Sequence, residues 1–286
     1  MVKQFRIIDR RLRAVEEPPF QVMVCSRPTE DEIRYLVDTL KIDEHTLHSA
    51  LDPEELARLE FEPEHIAVIY KHPATYIADD EFLFKVNSVG AFIFKDFLLV
   101  VFSEDLPIPD GMVSYPDATP MTLFIRMLGR TITHFREHLK VIDRITDELE
   151  ERISASLSNL HLVHLFSIQK SLIYYVEALT TNDGLLERIR RYSNRIGLTE
   201  AEEELLEDTI IDNHQCLKQA EISATVLSNL MDARVSIINN NLNILMKTLN
   251  IITIGIMVPT FVVSAFSMNV ALPLQHLPYA YWLIMG

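Results

Sequence analysis

From Thr199 to Asn269 the chain offers nothing that would interrupt a helix for most of its length. No glycine occurs between Gly197 and Gly255, and no proline between Pro120 and Pro259. The stretch opens with Thr199-Glu200-Ala201-Glu202, a capping box in which the Thr hydroxyl and the Glu carboxylate satisfy each other's free backbone N–H groups. Gly197 ends the preceding helix, and Leu198 is placed as a hydrophobic staple. At 1.5 Å per residue the spacing predicts a rod on the order of 100 Å long. A single globular core cannot enclose it.

The far end of that rod is built for a different solvent. The last acidic residue is Asp232, the last basic one Lys247, and Leu249 to Met268 are mostly Ile, Val, Leu, Met and Phe. Twenty such residues span the roughly 30 Å of hydrocarbon in a bilayer. Pro259 is tolerable there because neighbouring helices can re-satisfy the carbonyl it frees. A signal peptide is excluded by the position at the far end of the chain. One line of this predicted transmembrane helix is polar: Asn243, Met246, Asn250, Thr253, Met257, Thr260, Ser264 and Ser267 follow at alternating steps of three and four. Continued backwards it reads Asn239, Ser236, Asp232, Asn229 and Thr225. Small polar residues also let membrane helices approach closely and bond to one another, so the line has two readings. Before the membrane, however, a coiled coil would carry Leu or Ile on its seam. Several copies around an axis would instead line a wet path for ions.

Charge and composition narrow the partners. The formal net charge of −15 disfavours nucleic acid and anionic lipid surfaces and suits cations. Cys25 and Cys216 are too few for a disulfide framework, which points to a reducing cytosol. Arg234 and Lys247 precede the apolar span and nothing basic follows it, so the large N-terminal part is expected in the cytoplasm.

Ten of the 13 prolines lie at or before Pro120, and the chain divides there. Residues 1–118 read as a mixed α/β cytosolic domain in an α+β chain. Strands are expected at Phe5–Ile8, Phe20–Val24, His65–Tyr70, Val89–Phe94 and Phe97–Phe102, the last two joined by Lys95-Asp96 as a hairpin. Thr29-Glu30-Asp31-Glu32 caps a helix with Ile33, Leu36, Val37 and Leu40 on one face. Continuously apolar strands imply a sheet covered on both faces. Residues 119–247 form a helical stalk: one helix from Thr119-Pro120 to about Ser156, another from Asn159 toward Ile196, with a break or kink left open at Asn182-Asp183-Gly184. Residues 248–269 are the first transmembrane helix and 270–278 an external loop. Residues 279–286 begin a second span, Tyr279-Ala280-Tyr281-Trp282-Leu283-Ile284, which needs about twelve more residues, so the sequence is expected to be truncated.

Motifs for chemistry are sparse. His134 and His138 are four apart and His161 and His164 three apart, spacings that suit zinc, but neither pair has a third ligand at a set spacing, and solvated helix positions are the better reading. No phosphate-binding Gly-rich loop, nucleophile elbow or catalytic carboxylate pair occurs, so neither an enzyme nor an organic cofactor is expected. The acidic run Glu200, Glu202, Glu203, Glu204, Glu207, Asp208 and Asp212 reads as a solvated helix start favoured by the dipole, with a cation sensor at a subunit boundary as the alternative.

At the end of the long helix, Asn243-Ile244-Leu245-Met246-Lys247-Thr248-Leu249, Pro259-Thr260-Phe261 and Ser267-Met268-Asn269 resemble the pore helix of the CorA-type divalent cation transporters, which close that helix with Gly-Met-Asn. Upstream, His45-Thr46-Leu47 and the run from Ala50 to Glu60 resemble the family's cytosolic domain, so the likeness covers essentially the whole chain. It implies a funnel-shaped homopentamer in the cell (inner) membrane, multi-pass, whose first membrane helix lines the pore. It also implies passage of hydrated Mg²⁺, with Co²⁺ or Ni²⁺ sometimes carried, and Mg²⁺ as regulatory ion. Residue by residue, Asn269 would ring the outer mouth beside Met268, and Asn243 would form an inner polar ring. Leu249 and Met257 would form apolar constrictions, Asp232 an acidic inner ring, and Asp208 part of a regulatory metal site between subunits. The sequence departs from the family at Ser267, where glycine is usual, at Ser264, another small position, and in the uncharged loop from Val270 to Pro278. The serine and the uncharged loop speak for one alternative, a non-conducting, cation-sensing membrane scaffold; a Zn²⁺ transporter of the same superfamily, exporting the ion with proton drive, is a further alternative.

Overall fold

The computed structural model describes residues 2–8, 11–15, 17–74, 82–104, 118–155, 159–267, 278–279 and 282. Seven strands, β1 (Val2–Ile8), β2 (Arg11–Val15), β3 (Val22–Ser26), β4 (Arg58–Phe61), β5 (His65–Pro73), β6 (Val86–Phe94) and β7 (Leu98–Phe102), form one sheet. Their order is β2-β1-β3-β7-β6-β5-β4. β3 and β7 pair in parallel, and the other neighbours are antiparallel. The helices are α1 (Glu30–Asp38), α2 (Glu44–Leu51), α3 (Pro120–Ala155), α4 (Asn159–Arg191), α5 (Ser193–Ile196) and α6 (Glu200–Phe266). The α+β class expected from the sequence is the class observed. The chain forms two compact units, Met1–Ser228 and Asn229–Gly286.

The sheet is covered on both faces because its central strand, β7, is apolar at every position. All five side chains of Leu98-Leu99-Val100-Val101-Phe102 are buried, which a one-sided sheet would not allow. On one face Met23, Cys25, Ala67, Phe92, Leu99 and Val101 pack with Leu36 of α1, Ile42 and Leu47. Here α2 comes so close that a Cβ on Gly90 would lie 2.5 Å from the Cβ of Ala50; only glycine fits at that point of β6. On the other face Tyr70 meets Phe124 of α3 at 6.2 Å between ring centroids. Tyr175 of α4 stands edge-on to Phe135 at 4.9 Å.

The hairpin between β6 and β7 closes on Lys95-Asp96 as expected, with the Phe94 N–H donating to the Phe97 carbonyl. Thr29 and Glu32 form the expected capping box of α1. Two strands have no counterpart in the sequence reading. β2 (Arg11-Leu12-Arg13-Ala14-Val15) and β4 (Arg58-Leu59-Glu60-Phe61) are short and charged at alternate positions, and they are the two edges of the sheet. Such composition protects an exposed edge and masks it as a strand.

Asn182-Asp183-Gly184 does not interrupt α4, which runs through it to Arg191. The reason lies in what these side chains hold. β4 pairs with β5 no further than Ile69, so the backbone of Lys71 needs another partner. The Asn182 side chain supplies it: its Oδ1 accepts from the Lys71 N–H at 2.8 Å and its Nδ2 donates to the Lys71 carbonyl at 2.9 Å. One amide thus stands in for a missing strand. About three turns earlier on α4, Ser171 accepts from the Phe84 N–H at 2.9 Å. Asp183 accepts from Asn213 Nδ2 of α6 at 3.1 Å.

Replacing Asn182 with leucine leaves two buried backbone groups unpaired, each at a cost of about 1–3 kcal/mol. Asn182→Leu is therefore expected to lower the unfolding free energy by about 3 kcal/mol, read by chemical denaturation. A loss below about 0.5 kcal/mol would mean that the clamp contributes no net stability.

Candidate functional site

The long helix begins in a polar knot. Thr199 and Glu202 make the capping box: the Thr199 N–H donates to Glu202 Oε2 at 2.9 Å, and the Glu202 N–H to Thr199 Oγ1 at 3.3 Å. The other oxygen of the same carboxylate accepts from Thr122 Oγ1 at 2.8 Å and from Thr119 Oγ1. Thr119 in turn accepts from the Thr122 N–H at 3.0 Å and so caps α3. One carboxylate joins the starts of α3 and α6. Burial opposes its ionisation, but the hydrogen bonds from Thr119, Thr199 and Thr122 prevail and hold its pKa below the ordinary 4.5.

The acidic run after it divides by partner. Glu207 pairs with Arg190 at 3.3 Å and Asp212 with Arg136 at 2.7 Å. Glu203, Glu204 and Asp208 are exposed on the outer face. Dipole stabilisation accounts for the first turn, and Asp208 lies on the side open to other molecules.

From Asn229 onward the character of α6 changes. Its first part buries Leu206, Ile210, Asn213, Cys216, Ala220 and Leu227. Beyond these, nearly every described side chain is exposed, and none of the charge-free apolar stretch is buried within the chain. Leu249 is 55% and Phe261 75% exposed. Helical geometry lets such a surface exist without unpaired backbone, the condition for life in hydrocarbon. Pro259 sits inside the helix; having no N–H, it leaves the Gly255 carbonyl without its usual donor.

The polar line expected from the sequence is exposed along this helix: Asp232, Asn243, Leu249, Met257, Thr260, Ser264 and Ser267 all face outward from the chain. Its hydroxyls share one arrangement. Thr253 Oγ1 donates to the Leu249 carbonyl at 2.8 Å, Thr260 Oγ1 to Ile256 at 2.7 Å, and Ser267 Oγ to Val263 at 2.8 Å. Bonding back to the preceding turn uses the hydroxyl proton and leaves only lone pairs pointing outward. Met268 and Asn269 lie outside the described residues.

The histidine pair on α3 is not solvated, contrary to the sequence reading. His134 and His138 are half-buried, their ring centroids 4.4 Å apart. His72 of β5 stands 5.3 Å from His134, because the two-residue period of the strand puts Tyr70 and His72 on the face that α3 covers. His138 Nδ1 lies 2.6 Å from the Tyr175 hydroxyl. Burial pushes His72 down to about 3 and His138 to about 4, with the neighbouring imidazole His134 adding to both. Burial also lowers His134, against the pull of Glu137 and with that of Arg130. His72 could not be found from spacing, since it is 62 residues from His134. His164 is half-buried against Phe82, 4.7 Å between ring centroids.

Comparison with known proteins agrees with this geometry. A family profile described as CorA-like Mg²⁺ transporter protein matches residues 21–286. The chain is 26% identical to the cobalt/magnesium transport protein CorA of Methanocaldococcus jannaschii, over all of this chain and 92% of that protein. The complete structure of the CorA magnesium transporter from that organism superposes with a TM-score of 0.81 at 22% identity, covering 99% of this chain and 92% of the other. The full-length CmaX protein is similar in fold, with a TM-score of 0.74 at 16% identity over 98% and 91% of the two chains.

The buried imidazoles and Glu202 make stability acid-sensitive in two windows. An unfolded histidine takes up a proton below about pH 6.5, which His138 refuses until about pH 4, so stability falls as pH drops across that interval. The Glu202 contribution, present above 4.5, is lost as pH falls through its lower folded value. Thermal midpoints measured against pH are expected to decline from pH 6.5 downward, and His138→Gln is expected to flatten the upper part of that slope.

Proposed function

The chain belongs to the CorA-like Mg²⁺ transporter family, one of membrane transporters and not of enzymes, and on that premise we propose that α6 lines a path for hydrated divalent cations. The path forms on the axis of a homo-oligomer, a pentamer, in the cell (inner) membrane, with the N-terminal unit in the cytoplasm and a second span after residue 278. Mg²⁺ is the principal ion, with Co²⁺ or Ni²⁺ carried less readily.

One observation carries this reading: Thr253, Thr260 and Ser267 bond their hydroxyl protons back into the helix and turn oxygen lone pairs outward, on one exposed line with Asn243, Asn250 and Ser264 that carries no fixed charge beyond Lys247. An ion that keeps its water shell needs acceptors for its water protons, which amide and hydroxyl oxygens provide. Asn269 holds the hydrated ion at the outer mouth beside Met268. Leu249 and Met257 narrow the path and close it by dewetting. Asp232 concentrates cations at the inner end. Asp208, exposed on α6, takes part in a subunit-boundary site where Mg²⁺ holds the assembly closed until it leaves and carboxylates repel.

Ser267 is the departure that most favours a non-conducting scaffold. Its hydroxyl is bonded back to Val263, so it adds bulk without adding a free donor, which supports conduction. A zinc-exporting relative driven by protons is the other alternative.

Reconstitution of the full-length protein in liposomes tests the reading. Mg²⁺ influx is expected, independent of a pH gradient, and Asn269→Ala is expected to abolish it while oligomer size is unchanged. Thr253→Val with Thr260→Val, isosteric but without oxygens, is expected to cut the flux about tenfold or more. Zinc flux that requires a pH gradient would replace this reading with the zinc one, and no flux of either ion would leave the scaffold.

A further inference from the structure

Gly184 has no packing duty within its own chain. It lies inside α4, where glycine is destabilising relative to alanine, yet a Cβ added there would meet nothing within 4 Å. We propose that the α4 face around Gly184 is the docking surface for a second copy of this chain, which lays the first part of its α6 against it. The inference rests on the axial oligomer of the transport reading and names the contact that closes it.

Both helices present a narrow exposed face. At about 100° per residue, Phe166, Ile173, Glu177, Gly184, Arg188 and Arg191 fall within about 60° around α4. Glu204, Ile211, Lys218, Ile222 and Val226 fall within about 80° around α6 by the same count. All eleven are exposed. The apolar members, Phe166, Ile173, Ile211, Ile222 and Val226, are 47% to 59% exposed. A single open aliphatic residue is ordinary, whereas a row of them on one helix face marks an interaction surface.

The two faces also match in order. Arg190 pairs with Glu207, Asp183 with His214, and the Leu179 carbonyl with Asn213, so α4 and α6 run antiparallel. Equal rise then puts Arg191 about level with Glu204, Gly184 with Ile211, Glu177 with Lys218 and Ile173 with Ile222. Copies related by rotation about an axis along α6 keep these heights. The α4 face of one copy therefore meets the α6 face of the next with base against acid at both charged levels. At the level between them Ile211 enters the space that Gly184 leaves open, and beyond them Ile222 meets Ile173. Complementary sign at each charged level fixes register and rejects a slipped pairing. Neither Arg188 nor Arg191 has an ion pair among the described residues, because Arg190 takes both Glu187 and Glu207. The faces differ from one another, so the contact runs head to tail and is completed by closing a ring.

Cysteine cross-linking of the full-length protein in detergent is the test. Chains carrying Gly184→Cys alone and Ile211→Cys alone are co-expressed and treated with a short bis-maleimide. A cross-linked dimer is expected from the mixture and from neither variant by itself; Cys25 and Cys216 are buried and do not compete. Arg191→Glu and Glu204→Arg are each expected to raise the Kd of the oligomer about tenfold. Together they restore it, which a general loss of fold would not allow. No cross-link in the mixture, a cross-link in Ile211→Cys alone, or a monomeric wild-type protein would overturn the proposal. A cross-linked ring without Mg²⁺ flux in liposomes would retire the transport reading and keep this contact. Flux from an oligomer that fails to cross-link would do the reverse.

Discussion

An α-helix satisfies its own backbone, and everything this protein does with α6 depends on that self-sufficiency. The same 67-residue ladder serves a packed protein interior and a charge-free exterior without a change of secondary structure. A strand could not do so, because its hydrogen bonds belong to neighbours that would have to accompany it. What changes along α6 is only the side-chain code: Leu206, Ile210 and Ala220 turned toward protein, then aliphatic residues on all sides with one polar line. Even Pro259 is accommodated within the ladder.

Much of this was legible because the signals are local or strictly periodic. The capping boxes at Thr29 and Thr199 need only four residues each. The hairpin at Lys95-Asp96 needs two runs of apolar side chains, and the polar line needs only counting by three and four. What escaped was decided by tertiary partners. Nothing in Arg58-Leu59-Glu60-Phe61 announces an edge strand, since its charges serve the edge and not the ladder. Asn182-Asp183-Gly184 has the composition of a helix break, yet the amide of Asn182 is needed by Lys71, 111 residues away. His134 and His138 looked solvated because the strand that covers them is invisible from α3 alone. The proposed outer-mouth residues Met268 and Asn269 were read from the motif, and their part in the ion path belongs to the proposal.

The N-terminal unit shows how long helices are fixed to a sheet with few polar contacts. Aromatic rings of Phe124, Phe135 and Tyr175 supply area, but area does not set register. Register comes from single side chains that bond the backbone of another element: Asn182 for β5, Ser171 for the chain entering β6, and Asn213 of α6 for the Leu179 carbonyl of α4. Each is short and stiff, and Asn182 is paired through both ends of its amide, so a sliding of one turn would strand several partners at once.

Glu202 has a mechanical corollary. A carboxylate shared by the first turns of two helices acts as a common pivot. Any swing of α6 about its origin must either carry the head of α3 with it or tear away a buried, ionised group. The first turns of α3 and α6 are thereby held as one piece for as long as that acid keeps its charge.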